Sequence, residues 1–212
     1  MRSPRDGLLF TATAIFALNF LCGTFSRVSS TVYRQQLPSP DAALLLHFAA
    51  AGAALVLGLT NLSVAFGRGA GTQHRWLGRL YCVGVALGVV GGAWLVPYTP
   101  YGGLLGQFGV SYGLLLWSVF TIAMVKAARE GRMEAHRCWA LRSYAIALAG
   151  ATLRHLLDAG LALGWAPSTV YAMAANACFI LNLALVELFW VRGGFGQAAP
   201  DVSRETPPAS PD

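Results

Sequence analysis

The chain has 212 residues, of which 56% are hydrophobic and only 11% charged, with a mean hydropathy of +0.55. Soluble domains carry about a quarter charged residues; half that quota cannot coat a water-facing surface of this size, which excludes a soluble globular enzyme. Lys and Arg number 15 against 9 Asp and Glu, a net charge of +6. In so apolar a chain that surplus belongs to the loops on one side of a membrane, and nucleic-acid binding is not expected.

Six apolar segments follow in order, over roughly 8–26, 43–65, 80–97, 105–125, 138–159 and 168–191. Each is near the length of helix that crosses ~30 Å of hydrocarbon at ~1.5 Å per residue. The first follows Arg2 and Arg5 like a signal peptide. Its apolar stretch is too long for an h-region, however, and no small-x-small site closes it, so it reads as an uncleaved helix. Leu21 before Cys22 makes a poor lipoprotein box. Cys22, Cys82, Cys138 and Cys178 stand apart, without the spacing of a disulfide framework or zinc site. The fold class expected is all-α: a polytopic membrane bundle of six transmembrane helices.

Orientation follows from the basic residues. With the N-terminus inside, Arg2, Arg5, Arg68, Arg75, Arg79, Lys126, Arg129, Arg132, Arg137, Arg192 and Arg204 fall on the cytoplasmic side, and only Arg27 and Arg34 fall outside. Both termini are therefore expected in the cytoplasm, the lipid bilayer being that of a bacterial inner membrane. The outer turns are instead rich in Tyr98, Pro100, Tyr101, Trp165 and Pro167, which suits an aromatic belt. Residues 1–196 form the transmembrane domain. The tail 197–212, with its prolines and mixed charges, is expected to be disordered.

Within the helices, Gly84, Gly88 and Gly92 recur every four residues, as do Gly109 and Gly113. Such stripes let a neighbouring backbone approach closely; room for a flat macrocycle is the less favoured use. An internal echo is more specific. His74-Arg75-Trp76-Leu77-Gly78-Arg79-Leu80-Tyr81 opens the third segment. His136-Arg137-Cys138-Trp139-Ala140-Leu141-Arg142-Ser143-Tyr144 opens the fifth, with Cys138 inserted. Both follow a basic loop, as in a parallel repeat of a helical hairpin. Interface anchoring accounts for the arginines and aromatics, but not for a histidine placed twice.

The four histidines fall by depth into an inner pair, His74 and His136, and an outer pair, His47 and His155, the last about 28 Å along the helix from His136. Paired imidazoles on different helices are what axial ligation of a b-type haem iron needs, with Arg75, Arg79, Arg137 and Arg142 available to its propionates. The same groups could bind a transition metal, or an anionic metabolite or lipid headgroup through the arginines. Histidines that merely hydrogen-bond in a bundle are the bland alternative. Glu187, Asn176 and Asn182 are expected to face the bundle in interhelical hydrogen bonds.

Leu46-His47, His74-Arg75-Trp76-Leu77-Gly78-Arg79, Ala135-His136-Arg137, Arg142-Ser143-Tyr144 and Thr152-Leu153-Arg154 together resemble the bacterial predicted-membrane-protein family called domain of unknown function 2306, over roughly 43–190. The resemblance implies a multi-pass membrane protein and no particular activity. His47 with the His74–Gly78 stretch is more faintly similar to the di-haem cytochrome b family that takes electrons from ascorbate. The function expected is a haem-binding transmembrane electron carrier with a redox partner or quinone. The alternatives are an arginine-lined binding or transport module, or a structural subunit without cofactor.

Overall fold

A computed structural model describes residues 11–19, 41–68, 71–98 and 102–191, and every element among them is helical. Residues 11–19 are α1. Five long helices follow: α2 (Asp41–Arg68), α3 (Thr72–Leu95), α4 (Gly103–Arg129), α5 (Met133–Ala162) and α6 (Pro167–Val186). These five are long and apolar enough to cross a membrane, with mean hydropathies from 1.2 to 2.1. Of the first expected span only 11–19 is described. The connection 27–40 and the tail 197–212 lie outside the described residues.

The surface confirms the solvent. Leu104 is 85% exposed, Leu163 71% and Ile122 67%, and large apolar side chains of this kind stand outward on every long helix. Water would penalise that surface and lipid does not. The interior is correspondingly made of small residues: Ala43, Ala54, Ala127, Ala145 and Ala151 are wholly buried. With no hydrophobic drive between helices in lipid, association depends on close approach and polar contacts, and alanine and glycine permit the former.

The glycine stripes make those approaches. A Cβ on Gly84 would meet Ala54, one on Gly88 would meet Trp117 and the Ala51 backbone, and one on Gly91 would stand 2.7 Å from the His47 backbone nitrogen. The stripe of α3 is thus filled by α2, together with Trp117 and Leu114 of α4 over Gly88 and Gly92. No slot for a macrocycle is left along it. Gly109 and Gly113 serve the same purpose on α4, against Ala175 and Phe179 of α6.

Polar contacts fasten α6. Asn182 accepts a hydrogen bond from Thr152 at 2.7 Å and donates to the Ala145 carbonyl at 3.0 Å. Asn176 reaches the Leu105 carbonyl at 3.1 Å. The turn from α4 to α5 closes on Gly131 at φ +72°, a conformation that a Cβ would strain. Beyond Val186 the helix widens into a π-helical turn, Glu187–Val191.

Candidate functional site

The two copies of the echo fold alike and meet. Arg79 lies over the Trp76 ring at 4.9 Å, and Arg142 over the Trp139 ring at 4.8 Å. Tyr81 and Tyr144 are both buried, and both border Gly58 of α2. His74 and His136 also come together, with ring centres 6.2 Å apart and planes at 88°. The backbones of α3 and α5 stay apart while these side chains bridge the space between them. Equivalent residues facing one another is what a parallel repeat predicts.

His136 is oriented by the main chain. Its Nδ1 lies 3.0 Å from the Met124 carbonyl of α4. A carbonyl only accepts, so Nδ1 carries the proton and the lone pair of the neutral ring sits on Nε2. His74 differs. The Asn61 backbone is its hydrogen-bonding neighbour, whereas its Nδ1 is buried without a partner, as is the side-chain oxygen of Asn61. Buried polar atoms are rarely left unsatisfied, and these two lie beside the histidine pair. Asn61 has no counterpart in the motif, and only the fold brings it there.

The outer histidines are held separately. His47 Nδ1 donates to the Gly88 carbonyl at 2.8 Å, across the glycine face. His155 donates to Ala151 of its own helix at 2.8 Å and stacks on Phe16 of α1 at 4.7 Å. The structure therefore brings together the inner pair and gives each outer imidazole its own structural partner.

The four candidate arginines also part company. Arg142 forms a forked ion pair with Glu187, at 2.9–3.1 Å over three contacts, so its charge is largely met within the bundle. Arg137 pairs with Glu134 at 3.1 Å. Arg75 touches Thr72 at 3.3 Å; it and Arg79 are exposed on α3, and neither has a carboxylate in contact among the described residues. The partnership of Arg142 with Glu187 has a sequence signal in hindsight, since both lie about a turn or two inside the basic ends of their helices.

Beneath the histidines runs a closed polar circuit in which Tyr81 and Ser143 come from the two echo stretches, and Trp117 and Thr121 from neither. Trp117 Nε1 donates to the Tyr81 hydroxyl at 3.3 Å, Tyr81 contacts Ser143 at 2.7 Å, Ser143 contacts Thr121 at 2.8 Å, and Thr121 donates to the Trp117 carbonyl at 2.7 Å. The indole can only donate and the carbonyl only accept, so all three hydroxyls must point the same way round. Each then donates once and accepts once. The circuit ties α3, α4 and α5 at mid-depth and satisfies every polar hydrogen it buries.

Among the described residues, no group of three or more His, Cys, Asp or Glu side chains could hold a metal ion. A family model described as a predicted membrane protein, DUF2306, matches residues 44–190, a span that contains all four histidines and nearly all of α2–α6. No curated protein and no solved structure matches the chain.

Proposed function

The chain belongs to the DUF2306 family of predicted membrane proteins, and from its inner imidazole pair we propose that it holds a b-type haem between His74 and His136 and carries electrons. The observation behind this reading is the 6.2 Å spacing of the two rings. At about 2 Å per metal–imidazole bond, rings this far apart could both reach one metal ion. A bare ion needs three or four protein ligands, which the cluster lacks. A porphyrin would supply four nitrogens of its own, and His74 with His136 would be the residues that hold its iron.

The residues present fit that demand. Met124 fixes the His136 ring as backbone carbonyls commonly fix ligating histidines, and His74 offers an unpartnered buried nitrogen. Arg75 and Arg79 stand on the same helix as His74 and would meet propionates at the membrane edge. Arg142, held by Glu187, is left to the scaffold. Haem, when bound, supplies one-electron chemistry; a redox partner or quinone would complete it. The proposal is confined to the inner pair, because His74 and His136 are the histidines whose rings meet among the described residues. We place the basic ends of the helices in the cytoplasm of a bacterial cell, on the arginine and lysine bias.

The arginine-lined anion site is the weaker reading, since Glu134 and Glu187 already answer two of its four cations. A reduced-minus-oxidised visible spectrum of the purified protein tests the proposal. A b-type band is expected in the wild type, lost in His74→Ala and in His136→Ala, and kept in His47→Ala. A wild type without the band, or two inner variants that retain it in full, overturns the haem reading.

A further inference from the structure

Helices α3 and α4 are joined by a short connection, yet each is fastened to a different neighbour. The glycines of α3 are pressed on α2, and those of α4 on α6. The two touch where Trp117 covers Gly88 and Leu114 covers Gly92. From that level to the basic end of α4 a groove of about 660 Å³ lies between them, walled by Val85, Val89, Ile122 and Val125 and ending at Lys126 and Arg129. Its hydroxyls do not make it polar: Ser118 and Thr121 donate to the Leu114 and Trp117 carbonyls of their own helix.

We propose that this groove binds an anionic phospholipid of the leaflet on the basic side, one acyl chain lying in it and the phosphate held by Lys126 and Arg129. Length is the first argument. From Ser118 to Arg129 the groove follows about 17 Å of helix at ~1.5 Å per residue, close to one leaflet's share, about 15 Å, of a ~30 Å hydrocarbon core. The volume is that of a small-molecule site. Charge is the second argument. Glu130, the acidic group at the rim, is engaged by Arg132, and that guanidinium holds its carboxyl below the usual carboxylate range. Lys126 is 70% exposed and 4.0 Å from the same carboxylate. Arg129 is exposed, with no carboxylate paired to it among the described residues. The rim therefore keeps a positive surplus at headgroup level, where anionic lipid is attracted.

The proposal does not rest on the histidine pair. It is tested by native mass spectrometry of the full chain, released from detergent with phosphatidylglycerol or phosphatidylcholine of the same acyl chains. The wild type should retain one phosphatidylglycerol in preference to phosphatidylcholine. Removing a cation near the surface should cut that preference roughly fivefold, and Lys126→Gln with Arg129→Gln together about 25-fold. Ala86, exposed on the groove wall, offers the second variant: Ala86→Phe fills the groove without entering the core and should lower retention of both lipids. His74→Ala should leave the preference intact, which separates this outcome from the haem result. A double variant that keeps the wild-type preference overturns the proposal. So does an Ala86→Phe protein that binds both lipids as before, or a co-purified isoprenoid quinone that the phospholipid cannot displace.

Discussion

Replacing Gly91 by alanine would show whether the glycine face of α3 is a packing surface. The added methyl would lie 2.7 Å from the His47 backbone nitrogen and 3.0 Å from its Cα. Comfortable contact is about 3.5–4.0 Å, and backbone cannot swing aside as a side-chain tip can. Helices α2 and α3 must therefore part by about 1 Å. That movement stretches the 2.8 Å bond from His47 to the Gly88 carbonyl beyond hydrogen-bond range, a loss of about 1 kcal/mol. Overpacking itself costs about 1–3 kcal/mol. Against this, alanine gains up to about 1 kcal/mol over glycine in a helix. The net expectation is a destabilisation of about 1–3 kcal/mol, seen as a fall of roughly 3–10 °C in the melting temperature of the detergent-solubilised protein. Gly78→Ala is the internal control. It lies on the same helix, but its Cβ would meet only Asn61 Nδ2, at 3.4 Å, so it should melt at or slightly above the wild-type temperature. If Gly91→Ala melts with the control, α2 does not lie against this face and the packing argument is wrong.

Three further outcomes are expected. Glu187→Gln should destabilise by about 1–3 kcal/mol by stranding the Arg142 charge, and adding Arg142→Met should restore most of the loss, because the uncompensated ion costs more than the missing pair; a double variant as unstable as the single one would show that the pair itself carries the energy. Tyr81→Phe and Ser143→Ala each break the same circuit and should cost about 1–2 kcal/mol singly, but clearly less than the sum together; strict additivity in the melting data would mean that the hydroxyls do not act as one unit. A cytoplasmic-type reporter fused after Gly196 should be active, whereas activity of a periplasmic-type reporter there would reverse the proposed orientation.

Much of the architecture can be read from the residues in order. A span's length against the thickness of hydrocarbon is a one-dimensional quantity, as is the helical spacing of Gly84, Gly88 and Gly92, so six apolar spans, five of them seen as long helices among the described residues, and a small-residue interface are legible before any folding. The echo is legible too, because repeated spacing survives in the chain itself: Trp76 with Arg79 and Trp139 with Arg142 form the same local contact at the same separation. That His74 and His136 could meet follows from the repeat.

What the chain does not reveal is which side of a helix meets which neighbour. The glycine stripe reads equally as a seat for a backbone or for a flat ligand, and only the placement of His47 and Ala51 against it decides for packing. Four arginines gathered at one end look equivalent in sequence. The fold distinguishes them, because the packing of α6 on α5 brings Glu187 to Arg142, whereas Arg75 and Arg79 lie exposed on α3. Asn61, the part of Trp117 and Thr121 in the circuit, and the groove above Lys126 have no sequence signature at all. Each depends on side chains from separate helices arriving at one depth and one azimuth. Length and period determine depth, but azimuth is set by the close fit of every helix against the others, which exists only once the bundle has formed.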